Sequence, residues 1–320
     1  MSLSANKIEH FATLFDRTFL PQGLALIYSL KRRVKHYKLW IICMDEDSFL
    51  FLSPKALPFI ECLRISELET EELKAVKKTR SKGEYCWTVT PFVPRFVFHQ
   101  DRSISRVTYI DSDLWFLQDP TPIFQEFQNS GKSVMITEHA YAPEYDMSRK
   151  FGKFCVQFII FEKDGSKEVT KWWEEKCLEW CYNRLENGKF GDQMYLNEFE
   201  DLFPDKVHIL QTKDYTLAPW NASHFDFTKS LFFHFHSVRL LSDIKIHLGV
   251  YQLPKIVLNQ IYLPYFKDLI HAIDEMKKED VSVVSQVSLS FVIKTSIKRL
   301  KFLFTLRSCK LIMTEKMVRS

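Results

Sequence analysis

The sequence predicts an α/β protein with a mostly parallel central sheet flanked by helices and a helical, basic C-terminal appendage. Three observations carry that expectation. Apolar runs of strand length alternate with segments of helical period, as they do when crossover helices join parallel strands. The chain has 320 residues, 46% of them apolar with only 8 Gly and 12 Pro; such a chain can pack a core and is neither disordered nor fibrous. Charge is unevenly placed: residues 291–320 carry Lys294, Lys298, Arg299, Lys301, Arg307, Lys310, Lys316 and Arg319 against Glu315, leaving the first 290 residues slightly acidic within a total of +4. So small a total gives no argument for nucleic-acid binding by electrostatics alone, and no nucleic-acid partner is expected.

The elements follow in order. His10–Phe15 reads as a buried strand, and Asp16-Arg-Thr18 opens a helix that runs through Gly23–Leu30 to the basic stop Lys31-Arg-Arg33. Lys38–Cys43 is the second strand, Glu61–Ile65 a short third, Glu69–Lys78 a charged helix, and Trp87–Phe98 a helix despite Pro91 and Pro94. Arg106–Ile110 is the fourth strand and runs directly into Asp111-Ser-Asp113. Ser133–Thr137, Val156–Phe161 and Val207–Leu210 read as strands, Val169–Leu185 and Asp192–Phe199 as helices. Leu231–His236 is an apolar run holding two histidines. From Leu263 the chain reads as helices, with a polar break at Lys277–Asp280 before Val281–Leu306. The expected division is a catalytic body over 1–260, in halves of about 1–140 and 141–260, and an appendage over 261–320.

Seven cysteines (43, 62, 86, 155, 177, 181 and 309) are scattered without finger or knuckle spacing, which points to reduced thiols in a cytosolic compartment. The polar N-terminus lacks a signal-peptide core, and no uncharged apolar run is long enough to span a bilayer. The expected location is the cytoplasm. Phe291–Leu306 alternates apolar with basic residues, which fits either an interfacial helix on the inner face of an anionic membrane or a terminal helix packed on the body. Trp172, Trp173, Trp180 and Tyr182, at helical spacing, read as core aromatics or, alternatively, as a sugar-stacking face.

Tyr109-Ile-Asp-Ser-Asp-Leu-Trp-Phe116 is the sharpest motif. Two carboxylates leave the end of a buried strand, which is where open α/β sheets bind ligands. Within one turn they can give oxygen ligands to Mg²⁺ or Mn²⁺ while leaving positions for a diphosphate; the alternative is a solvated turn that caps a helix.

With its neighbours this motif resembles the GT-A-fold glycosyltransferases, in particular the retaining galactosyltransferase and glycogenin-like group and its bacterial lipopolysaccharide-cluster relatives. The resemblance covers roughly residues 8–240 and rests, in order, on His10–Asp16, Arg80-Ser with Glu84-Tyr-Cys-Trp-Thr88, Asp111-Ser-Asp113, Gly188-Lys-Phe-Gly-Asp-Gln193, Ala218-Pro-Trp-Asn221 and Phe233-His-Phe-His236. It implies a Rossmann-like nucleotide-diphospho-sugar transferase fold, a UDP-sugar or similar donor, a divalent metal, a glycan or lipid-linked acceptor in surface-polysaccharide or lipopolysaccharide assembly, and retention at the anomeric carbon.

Residue by residue, the resemblance implies that Asp111 and Asp113 bind Mn²⁺ or Mg²⁺ together with His236 or His234, His236 being favoured as nearer the strand end. It puts Asp192 and Gln193 beside the transferred sugar as catalytic residues. Thr13, Asp16, Arg80, Ser112, Gln157, Trp220 and Asn221 would line the donor site. Phe154-Cys-Val-Gln157 departs from the family, with Cys155 where an asparagine is usual, and the late His-x-x-Gly-x-Lys loop is not evident, so no lysine is assigned to the leaving diphosphate. The competing function is a GT-A-like domain that binds a nucleotide sugar or glycan without turnover; a two-metal phosphohydrolase would need more clustered carboxylates than the sequence offers.

Overall fold

The computed structural model describes residues 8–55, 57–242 and 245–286, and the strand Ile312–Thr314. Eight strands come first: β1 (Glu9–Phe15), β2 (Tyr37–Cys43), β3 (Ile60–Arg64), β4 (Arg106–Ile110), β5 (Leu114–Phe116), β6 (Val134–Glu138), β7 (Phe154–Glu162) and β8 (Val207–Ile209). All but β5 form one sheet in the order β3-β2-β1-β4-β7-β6-β8. Every pairing is parallel except the two made by β7, which runs against β4 and β6. This is the mostly parallel, helix-flanked sheet that the sequence predicts.

Side chains alternate between two apolar layers, as the period of a strand requires. Ala12, Leu14, Trp40, Ile42, Val107 and Tyr109 face one layer, closed by Tyr85, Val89, Val93, Val97 and Trp173 from helices Lys82–Val89, Val93–Gln100 and Lys167–Glu179. Phe11, Phe15, Leu39, Ile41 and Ile110 face the other, closed by helix Leu20–Arg33 and by Ile123, Phe124 and Phe127 of helix Thr121–Ser130. Gly23 lets helix Leu20–Arg33 press on the end of β1: a Cβ there would lie 2.4 Å from the Phe15 ring.

Several elements differ from expectation. The helix expected over Trp87–Phe98 is a helix over Lys82–Val89, a 3₁₀ turn over Thr90–Phe92 and a second helix over Val93–Gln100, with Pro91 and Pro94 each near the start of a piece, where a missing N–H costs nothing. The helix expected to reach Leu185 ends at Glu179, because Trp180 is extended and Asn187 and Gly188 take positive φ. Asp192–Phe199 is a 3₁₀ stretch, Gln193–Glu198, followed by the short helix Phe199–Leu202.

A second sheet consists of β5, β9 (Thr216–Leu217) and β10 (Phe232–His234), in the order β5-β10-β9. A third joins β11 (Arg239–Ser242), β12 (Lys245–His247) and β13 (Ile312–Thr314). Helix Leu263–Lys278 is present as expected, but Val281–Gln286 is not helical and Ile312–Thr314 is a strand. The expected basic amphipathic stretch Phe291–Leu306 lies outside the described residues. Val281–Gln286 crosses the turn after β1. Gln286 donates to the Thr18 carbonyl (2.7 Å) and accepts from Gln22 Nε2 (3.0 Å) and Leu240 N (2.9 Å), and Arg17 donates to Ser282 Oγ (3.1 Å).

Candidate active site

The carboxyl ends of β1, β4 and β6 open into a cavity of about 730 Å³, within the usual range for small-molecule sites. Asp111 follows β4 directly. Its N–H donates to the Gln157 carbonyl (3.0 Å), and its carbonyl accepts from Leu114 N (3.2 Å), which turns the chain into β5. β5 then pairs antiparallel with β10, setting His234 opposite Leu114, while Phe235 N donates to the Asp113 carbonyl (2.9 Å). The motif and the histidine run, 120 residues apart, meet through this pairing.

As a result His234 Nε2 lies 3.1 Å from Asp113 Oδ1 and 3.7 Å from Asp111 Oδ2, and ligand atoms of all three residues fall within 4.8 Å of one another. Tyr109 Oη donates to Asp111 Oδ1 (3.1 Å). Burial pushes the Asp111 carboxyl up to about 6, a shift to which Asp113 adds and which His234 partly offsets. Burial also acts upward on Asp113, but the His234 imidazole overrides it and brings Asp113 down to about 2. His234 is held well above its ordinary value: burial alone would lower it, and Asp113 reverses the sign. Two crowded carboxylates sharing one imidazole form a site short of positive charge, and two oxygens plus one nitrogen suit Mn²⁺ or Mg²⁺. The donor set therefore fits the implied metal. His236, favoured from sequence, is outside this group: it lines the same cavity from its open side, exposed to solvent, with its ring centroid 5.8 Å from that of His234, and β10 ends at His234.

Asp192 and Gln193 line the same cavity. Gly191 takes φ +52, and a Cβ there would lie 3.3 Å from the Trp87 ring; this tight turn brings Asp192 inward. Trp173 Nε1 donates to the Asp192 carbonyl (3.0 Å), and Gln193 Nε2 donates to the Phe151 carbonyl (2.6 Å). Burial, then the Asp111 charge, raise the Asp192 carboxyl well above the ordinary range. Asp16 and Ser112 also line the cavity, Asp16 while accepting from Thr18 N (2.9 Å). Trp220 forms part of the wall, donating to the His139 carbonyl (2.7 Å) with its ring edge-on to His234.

Four residues expected at the donor site do not line the cavity. Thr13 is fully buried within β1. Arg80 lies over the Tyr182 ring, 3.8 Å away, and donates to the Leu178 carbonyl. Gln157 contributes its backbone carbonyl to Asp111 N. Asn221 is fully buried, accepting from Ala218 N and donating to the His139 and Thr216 carbonyls, so it ties the Trp220 loop to the wall. Conversely, Lys82, His139, Tyr141, Tyr251 and Arg239 line the cavity without having been singled out. Arg239, three residues after His236, is electrostatically coupled to Asp113; the spacing His236-Ser-Val-Arg239 was its available signal.

No family model matches the chain. It is 30% identical to the uncharacterized protein YfnF of Bacillus subtilis over 290 residues, 84% of this chain and 94% of YfnF. The chain belongs to the YfnF family. YfnD of the same organism, also uncharacterized, is 26% identical over 288 residues, 84% of this chain and 91% of YfnD. Among solved structures the chain is similar to mouse xyloside xylosyltransferase 1 (TM-score 0.47, 13% identity, 71% of this chain and 97% of that one) and to the glycosyltransferase GlyE of Streptococcus pneumoniae (TM-score 0.47, 16% identity, 88% and 66%). The galactosyltransferase LgtC, in complex with donor and acceptor sugar analogs, gives a TM-score of 0.43 at 11% identity over 70% of this chain and 86% of that one.

Proposed function

We propose that this YfnF-family chain is a metal-dependent glycosyltransferase that moves a sugar, with retention, from a nucleotide-diphosphate donor of the UDP-sugar type to a glycan or lipid-linked acceptor of surface-polysaccharide assembly. The observation that carries the reading is the convergence of Asp111, Asp113 and His234 with Asp192, Gln193, Lys82 and Arg239 on one cavity. Residues 1–260 would form the catalytic unit. The six described cysteines are unbridged, which fits a reducing cytoplasm.

Asp111, Asp113 and His234 would hold Mn²⁺ or Mg²⁺, which when bound supplies positive charge to the donor diphosphate. Lys82 and Arg239 are the cavity's two lysine or arginine side chains and would stabilise charge on the departing phosphate oxygen, where electrostatic preorganisation contributes most. Asp192, whose raised carboxyl can keep its proton, would hydrogen-bond a sugar hydroxyl, and Gln193 would lie near the anomeric carbon. The acceptor oxygen would bond to that carbon on the face from which the nucleotide leaves, as the carbon–phosphate oxygen bond breaks and the hydroxyl proton passes to the departing phosphate. Trp220, Tyr141 and Tyr251 offer ring faces and edges for sugar carbons.

NMR of the product linkage tests the mechanism. An unchanged anomeric configuration supports it, an inverted linkage refutes retention, and release of free sugar with no acceptor preference replaces transfer with hydrolysis.

A further inference from the structure

A second cavity, of about 630 Å³, lies between helices Val93–Gln100 and Lys167–Glu179. It is remote from the first. Lys163 N donates to the Ser105 carbonyl beside the start of β4, whereas Asp111 follows the end of β4, and five strand residues separate the two by about 17 Å. Pro94, Phe98 and Leu178 supply apolar surface in its lining. Around them stand Arg95, Arg102, Lys163, Lys167 and Lys171, against Glu174 and Glu175.

Internal partners do not cancel this charge evenly. Arg95 forks onto the buried Glu174 through bonds of 2.9 and 3.0 Å, Lys167 pairs with Asp164 at 2.8 Å, and Lys171 approaches Glu175 at 3.9 Å. At the Arg102 end the balance is lost: the Lys163 ammonium donates to the Arg102 carbonyl, and the Arg102 guanidinium has no acidic partner among the described residues. An apolar surface of this size ending in uncancelled cations matches a molecule with an aliphatic body and an anionic end. A guanidinium fork beside an ammonium suits a phosphate in particular. The segment 291–320 is itself basic and is electrostatically unsuited to this rim.

We propose that the second cavity binds an aliphatic phosphate monoester, its phosphate on Arg102 and Lys163 and its chain along Pro94, Phe98 and Leu178. The proposal stands apart from the reading of the first cavity.

Calorimetric titration of the full chain with decyl phosphate, below the concentration at which it forms micelles, tests it. Saturable binding of one molecule is expected, at least tenfold tighter than inorganic phosphate, which lacks the chain, and decyl maltoside, which lacks the charge. Arg102→Glu and, separately, Lys163→Glu should each weaken binding at least tenfold with unchanged circular dichroism, while UDP with Mn²⁺ and the Asp113→Ala change leave it unaltered. Sedimentation with phosphatidic-acid vesicles separates the sources: a loss of co-sedimentation in Arg102→Glu assigns a membrane lipid, and equal sedimentation of both proteins assigns a free ester. Equal affinity in both charge-reversed variants, equal affinity for inorganic phosphate, or displacement by UDP would overturn the proposal.

Discussion

Asp111 and Asp113 are two residues apart, yet their environments push their carboxyls in opposite directions, to about 6 and about 2. Asp111, raised, costs the folded state most when ionised; that cost is fully present above pH 6 and is relieved as pH falls from about 6 toward the unfolded value of about 3.9. Asp113, lowered, contributes stability that is present above about pH 3.9 and lost as pH falls toward 2. Because the Asp111 carboxyl and the His234 imidazole must both shed a proton to ligate, Mn²⁺ affinity should fall about tenfold per pH unit from 7 to 6 and more steeply below 6, and Asp111→Asn should remove the extra steepness below 6; calorimetry across pH 5–7 checks it. A further expectation concerns Arg239: Arg239→Ala should lower kcat by about 10²–10³-fold, read from initial transfer rates. The aspartate pair was legible in the sequence because strand and motif adjoin. His234 over His236 was not, since the choice depends on where β10 ends and on its register with β5. Thr13, Arg80, Gln157 and Asn221 show the same limit, because sequence places a residue near a strand end but not on the cavity side of it.

At the scale of elements, the strands of the main sheet were legible because the central ones bury both faces and all are flanked by turn or helix signals. Two- and three-residue strands such as β5, β9 and β10 are too short to show a period, and they are the ones that bring His234 to the aspartates. The two helices around Trp87–Phe98 merged in sequence because apolar period continues across Pro91 and Pro94. Gly191 is the element-scale counterpart of the site: Gly191→Ala forces a side chain into positive φ against Trp87, and should cost about 1–2 kcal/mol in urea unfolding while weakening donor binding through Asp192. Gln286, with three side-chain hydrogen bonds to Thr18, Gln22 and Leu240 and a backbone bond to the Leu240 carbonyl, clamps the segment after helix Leu263–Lys278 onto the wall near Arg239. Gln286→Ala should cost about 1–3 kcal/mol by the same measurement.

For the whole molecule, the mostly parallel sheet gathers the carboxyl ends of β1, β4 and β6 at one mouth, and the small β5-β10-β9 sheet closes it with a histidine. Its other end carries the basic-rimmed cavity, so one fold presents two chemically different cavities along β4. No helix among the described residues is long and apolar enough to cross a membrane. In the proposed reaction Asp111, Asp113 and His234 would hold a metal that recruits a nucleotide diphosphate. Calorimetric titration of UDP, GDP, CMP and dTDP, each with and without Mn²⁺, against the native chain and Asp113→Ala tests it most directly. One diphosphate nucleotide is expected to bind only with Mn²⁺, and Asp113→Ala to abolish this binding; if no nucleotide binds under either condition, the aspartate–histidine group does not serve a nucleotide donor.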